Sequence, residues 1–130
     1  MKKIHFIGLM LLSAICFSCD EADEKTQEQE AENLDQLFSE IQSLASSENC
    51  EDSTKWAFTS FGSKACGGPV GFMAYSTTID TVLFLERIEA HRAAQQAFNQ
   101  KWAIASDCSA PLEPTSVLCV NGNPVFEYSN

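Results

Sequence analysis

Apolar positions along this chain follow three rhythms. From Ile4 to Phe17 they run together, interrupted only by His5, Gly8 and Ser13. Farther on they become periodic. Leu34, Leu37, Phe38, Ile41 and Leu44 step by three or four, which predicts an amphipathic helix over 33–46 that ends at Ser46-Ser47-Glu48-Asn49. Between Lys55 and Phe61 the period falls to two: Trp56, Phe58 and Ser60 alternate with Ala57, Thr59 and Phe61, the pattern of a strand. Residues 62–71 hold four glycines and Pro69 and read as a loop. A second helix is expected over about 79–105, with Thr78 as N-cap and Asp80 in its first turn. Its inner stripe is Thr81, Phe84, Ile88, His91, Gln95, Phe98 and Trp102, polar in the middle. Pro111 and Pro114 make the next segment irregular. Two short apolar runs, Ser116 to Val120 and Pro124 to Tyr128, then flank Asn121-Gly122-Asn123, a strong hairpin signal with Pro124 marking an edge strand. The expected fold is α+β in the order α-β-α-β-β: a small antiparallel three-stranded sheet packed by one long helix, with an additional N-terminal helix. About 98 residues, 33–130, form its single compact domain.

The first apolar run is too short to span a bilayer, which takes about 20 residues. Lys2 and Lys3 before it, Ser18 after it and Cys19 next resemble a bacterial lipoprotein signal peptide over 1–18, with Cys19 the lipidated first residue of the mature chain. Phe17 and Cys16 depart from the usual box before the cysteine, as the relaxed box of Bacteroidota lipoproteins allows. The acidic run Asp20, Glu21, Asp23, Glu24 resembles the surface-export signal of that group, whereas in enterobacteria an Asp at this position implies retention at the inner membrane. An ordinary secretory leader with Cys19 unmodified is the simpler alternative. The expectation is a palmitate-bearing protein held in the outer membrane by its N-terminal lipid and displayed at the cell surface.

Charge changes the picture next. The whole chain carries −10, and loss of Lys2 and Lys3 with the leader makes it −12. Residues 20–52 hold 12 acids against Lys25, whereas 53–130 hold six acids and five bases. The acidity therefore belongs to the N-terminal third, and 19–32 is expected to be a disordered tether bearing the lipidated Cys19. A nearly neutral domain lacks the basic face that nucleic acid requires.

Cys16 leaves with the leader and Cys19 takes the lipid, so Cys50, Cys66, Cys108 and Cys119 are left to pair. An even count in an exported small domain implies two disulfides. Only ten residues separate Cys108 from Cys119, which favours Cys108–Cys119 and leaves Cys50–Cys66; a pairing of Cys66 with Cys119 stays open. No C-x-x-C pair is present and His91 is the one histidine past the leader, so neither a metal nor a cofactor is expected.

The loop after Cys66 is the unusual local feature. Gly67, Gly68, Pro69, Val70, Gly71, Phe72 and Met73 combine tight-turning glycines with apolar side chains. Fastened at Cys66, it suits a rigid binding loop of the protease-inhibitor kind, since preorganisation lowers the ordering cost of association. The plainer alternative is that Phe72 and Tyr75 plug the core. Trp56, Trp102 and Tyr75 would serve a glycan by stacking, though such aromatics usually fill cores. Catalytic residues are not evident. His91 lies on an inner helix stripe, Ser76 and Ser106 lack a nucleophile elbow, and Glu86 and Glu89 read as solvated helix charges.

The run Trp56-Ala57-Phe58-Thr59, Gly62-Ser63-Lys64-Ala65-Cys66-Gly67-Gly68-Pro69, Tyr75-Ser76, Ile79-Asp80, Phe98-Asn99, Ser106-Asp107-Cys108 and Cys119 resembles a family of small Bacteroidota lipoproteins across about residues 50–128. The resemblance implies the compartment, the single domain and paired cysteines, and carries over no activity. Two functional expectations follow: a non-enzymatic module binding a protein or glycan through the Cys66–Tyr75 loop, and an accessory lipoprotein docking into an envelope complex through the helix over 33–46. A small hydrolase with His91 as base comes third.

Overall fold

The computed structural model describes residues 24–129. The leader, Cys19 and the acids Asp20, Glu21 and Asp23 lie outside the described residues; Glu24 is exposed.

Helix α1 spans Gln27–Ala45, so the stretch expected as tether through residue 32 is helical in its second half. A capping box starts it: the Gln29 N–H donates to Thr26 Oγ1 at 3.3 Å and the Thr26 N–H donates to Gln29 Oε1 at 3.0 Å. Glu28 and Glu30 sit in the first turn, where the helix dipole favours anions. Glu30 also accepts from Lys101 Nζ at 2.7 Å and from Trp102 Nε1 at 2.9 Å. Acids that suggest disorder by composition thus serve here as helix-start and docking chemistry.

Helix α2, Thr81–Lys101, lies antiparallel to α1, since Glu30 meets Lys101 at one end and Glu40 meets Arg87 at 3.0 Å at the other. Its N-cap is Asp80, whose Oδ1 accepts from the Leu83 N–H at 3.0 Å. The expected cap, Thr78, pairs its hydroxyl with Ser76 instead. Between the helices lie Ile41, Ala45, Phe84 and Ile88, all buried, with Phe61, Met73 and Tyr75 packed beneath.

The sheet differs from expectation. Strand β1, Trp56–Phe61, pairs antiparallel with β2, Gly71–Ser76, in the register Trp56↔Ser76 to Phe61↔Gly71. Strands β3, Ser116–Val120, and β4, Asn123–Glu127, form a separate hairpin. The architecture is α+β with two two-stranded sheets, in the order α-β-β-α-β-β, and the single three-stranded sheet is replaced. The extra strand is β2, read from sequence as the end of a loop. Met73 and Tyr75 pack on the helix core, while Ala74 packs on a second cluster of Cys50, Trp56 and Val117. Both faces of β2 are covered, so its sequence lacks the polar alternation that marks a half-exposed strand. Phe58 stands edge-on to Phe72 and to Phe126, with ring centres 6.1 and 6.2 Å apart, linking the two hairpins.

The β3–β4 turn is Asn121-Gly122 with φ of 51° and 80°, the left-handed pair of a type I′ hairpin. Pro124 faces Cys119 on a strand that has one neighbour, an edge position as expected.

Candidate functional site

The disulfides pair differently from expectation. They are Cys50–Cys119 and Cys66–Cys108, not Cys50–Cys66 and Cys108–Cys119. The reason is the path of α2. It carries the chain back along the first hairpin, so the segment after it arrives at the hairpin's tip beside Cys66. The 110–115 segment then moves the chain to the second hairpin, where Gly122 bridges Cys50 and brings it next to Cys119. Nearness in sequence was the wrong guide.

The candidate loop divides. Gly71, Phe72 and Met73 belong to β2 and are half-buried, so Phe72 and Met73 do not point freely outward. The presented part is Gly67, Gly68, Pro69 and Val70, with Val70 41% exposed. Two backbone bonds fold this tip: the Lys64 N–H donates to the Gly68 carbonyl and the Gly67 N–H to the Lys64 carbonyl, each at 2.9 Å. Gly67 and Gly68 hold φ of 93° and 81°, a left-handed pair that other residues adopt only at a cost. Gly62 has φ of 73° as well, and a Cβ there would lie 2.7 Å from Val70.

Side chains from elsewhere fasten the turn. Lys64, its side chain only 14% exposed, donates to Asp107 Oδ1 and to the Ser109 carbonyl, both at 2.6 Å. This lysine and Ser109 hold the Asp107 carboxyl below its ordinary pKa. From α2, Arg92 Nη2 donates to the Ser60 carbonyl at 2.9 Å, the Ser63 N–H donates to Gln95 Oε1 at 2.7 Å, and Asn99 Nδ2 donates to the Ser63 carbonyl at 2.8 Å. These α2 residues were not singled out from sequence as partners of the loop. Gln95 alone carried a signal, as a polar residue on an otherwise apolar helix stripe; Arg92 and Asn99 lie off that stripe. Shallow clefts of about 260 and 300 Å3 flank the turn, both lined by Ser63, Gly67 and Gln96.

The chain matches no protein-family model, no curated protein and no solved structure.

Other sequence candidates are placed as follows. His91 is buried against Phe38, with ring centres 5.3 Å apart, and burial pushes its pKa down while Asp35 pulls it up. Its Nδ1 is sealed with no hydrogen-bond partner among the described residues. Ser76 is bonded to Thr78, and Ser106 Oγ accepts from the Cys66 N–H at 3.4 Å. Trp56 lies in the second cluster and Tyr75 on the helix core, so the expected stacking trio does not form one surface. The apolar side of α1, Leu37, Ile41 and Leu44, is taken up by the helix core and is not a free docking face.

Proposed function

We propose that this protein is a lipid-anchored, non-enzymatic binding module of the outer membrane, displayed at the cell surface, that engages a protein or glycan through the Gly67–Val70 turn. The observation that supports this reading most is the construction of the turn. Its base is held by a disulfide, a mostly buried lysine and two α2 amides, while Gly67, Gly68 and Val70 are exposed. A turn organised before binding loses little entropy on association. With Phe72 drawn into β2, Val70 is the apolar side chain the turn would present in an inhibitor-like contact. Two or three acyl chains on Cys19 would hold the module firmly, where one alone binds reversibly. The resemblance to small Bacteroidota lipoproteins supports the same compartment.

Two measurements test it. Palmitate labelling and membrane retention, both lost in Cys19→Ala, are expected; retention of both in that variant refutes the anchor. A photo-crosslinker at the exposed Ala65 on intact cells is expected to capture a discrete partner, and Val70→Asp to abolish the product. Identical products from a crosslinker at Glu86, remote in the fold, refute the turn as the contact.

The accessory-lipoprotein reading has one observation in its favour. Leu118, Val120 and Val125 are 42%, 47% and 44% exposed on the outer face of the β3–β4 hairpin, which α1 and α2 leave uncovered. Crosslinks from Val125 to neighbouring outer-membrane proteins, with none from Ala65, would favour it.

A further inference from the structure

A further cavity lies behind the turn, between α1, α2 and the end of β1. It measures about 330 Å3, within the range of small-molecule sites. Its walls are apolar: Leu34 and Phe38 from α1, Phe61 and Val70 from the first hairpin, Phe98 from α2. Four polar side chains also line it, and their bonding capacity is largely unused.

His91 is 5% exposed and makes no hydrogen bond among the described residues. Asp35, exposed on α1, forms no ion pair among the described residues. The orientations of Gln95 and Asn99 follow from Ser63. Its N–H can only donate, so Gln95 turns Oε1 toward it; its carbonyl can only accept, so Asn99 turns Nδ2 toward it. Among the described residues, Asn99 Oδ1 is left as a free acceptor and Gln95 Nε2 as a free donor. No lysine or arginine lines the cavity, and the nearby Arg92 is bonded to Ser60 and Glu89.

The balance is one carboxylate, one amide acceptor, one amide donor, a buried imidazole and no cation, around aromatic walls. That chemistry suits a cationic donor head on an apolar body. We propose that this cavity binds a small hydrophobic amine, its body among Phe38, Phe61 and Phe98 and its ammonium at Asp35 and Asn99 Oδ1, with His91 as a further polar partner. Aromatic faces add attraction for a cation. The cavity shares Val70 with the turn, but its polar groups lie on α1 and α2, and the proposal does not require the turn to bind a macromolecule.

The test titrates the isotope-labelled full chain with benzylammonium, benzyl alcohol and benzoate at neutral pH, reading amide shifts. Benzylammonium is expected to saturate, with shifts centred on the lining residues, about tenfold or more tighter than the other two. Asp35→Asn is expected to remove that preference and leave benzyl alcohol unchanged; an exposed, unpaired side chain makes this variant safe for folding. Val70→Trp, which fills the cavity from its hairpin side, is expected to abolish binding, and the turn's folding is checked by its amide spectrum. Equal affinity for the three probes, a preference for benzoate, or benzylammonium affinity unchanged in Asp35→Asn overturns the proposal. So does the absence of saturable shifts up to about 10 mM, a limit that corresponds to negligible affinity.

Discussion

The hairpins β1–β2 and β3–β4 each have a disulfide that ties them to distant chain, and the two bridges sit in opposite settings. Cys50–Cys119 lies in a cluster with Trp56 and Val117, and Cys50 is 2% exposed. Cys66–Cys108 is exposed at both ends and touches the tip of the first hairpin. The loops they close span 69 and 42 residues, so their chain-entropy contributions differ by only about 0.4 kcal/mol. What separates them is packing. One bridge is part of a core, and the other clamps a presented turn. The second hairpin closes its tip with the two residues Asn121-Gly122, and Cys50 pairs with Gly122 there.

The largest expected effect tests this difference directly. Cys50→Ala with Cys119→Ala removes cross-link and packing together and is expected to lower stability by about 5 kcal/mol. Cys66→Ser with Cys108→Ser loses the cross-link alone, up to about 4 kcal/mol. Urea unfolding measures both. Hydrogen exchange should show the second pair loosening Gly62–Val70 while the helix core stays protected. Under mild reductant the native protein should yield alkylated Cys66 and Cys108 first. Simultaneous reduction of both bridges would mean that burial does not distinguish them.

Much of this organisation was legible in sequence and some was not, for physical reasons. Both helices announce themselves through a 3.6-residue period, and the second hairpin through Asn121-Gly122. The start of α1 was hidden because its cap, Thr26 with Gln29, stands inside an acidic run that composition reads as tether. Strand β2 was hidden because both its faces are covered and it follows three glycines and Pro69 closely. The candidate loop was legible as a place, since Gly67 and Gly68 do form the turn. Its boundary was not, because only pairing with β1 shows that Phe72 and Met73 point into packed layers. The disulfide partners could not be read at all. They depend on where α2 returns the chain, a property of length and packing rather than of any local motif.

The next effect separates glycines of the two turns. A Cβ at Gly62 would lie 2.7 Å from Val70 and 2.8 Å from Gln95, on top of a left-handed φ; at Gly122 the φ is left-handed but nothing lies within 4 Å. Gly62→Ala is expected to cost about 2–3 kcal/mol and Gly122→Ala about 1 kcal/mol, the strain of the conformation alone. Chemical denaturation of the two variants measures the difference. Equal losses would show that the first turn relaxes freely and that its fastening to α2 is weak.

The smallest effect is a pH dependence, and again each bridge has its own group. Asp52, two residues after Cys50, is held below its ordinary pKa by the Thr54 hydroxyl and N–H; Asp107, just before Cys108, is held down by Lys64 and Ser109. A carboxyl whose folded pKa is depressed contributes fully above the unfolded value, near 4, and loses that contribution as pH falls through the lower folded value. Stability should therefore decline below about pH 4 from both groups, and their exposure keeps each contribution small. Lys64→Met should flatten part of this decline and also speed hydrogen exchange at Gly67 and Gly68, because the same lysine fastens the turn. Thr54→Ala should flatten its own part and leave the turn untouched. Denaturation midpoints between pH 7 and 3, with exchange rates at the two glycines, measure both. Unchanged exchange in Lys64→Met would assign the rigidity of the turn to Cys66–Cys108 and the α2 amides alone.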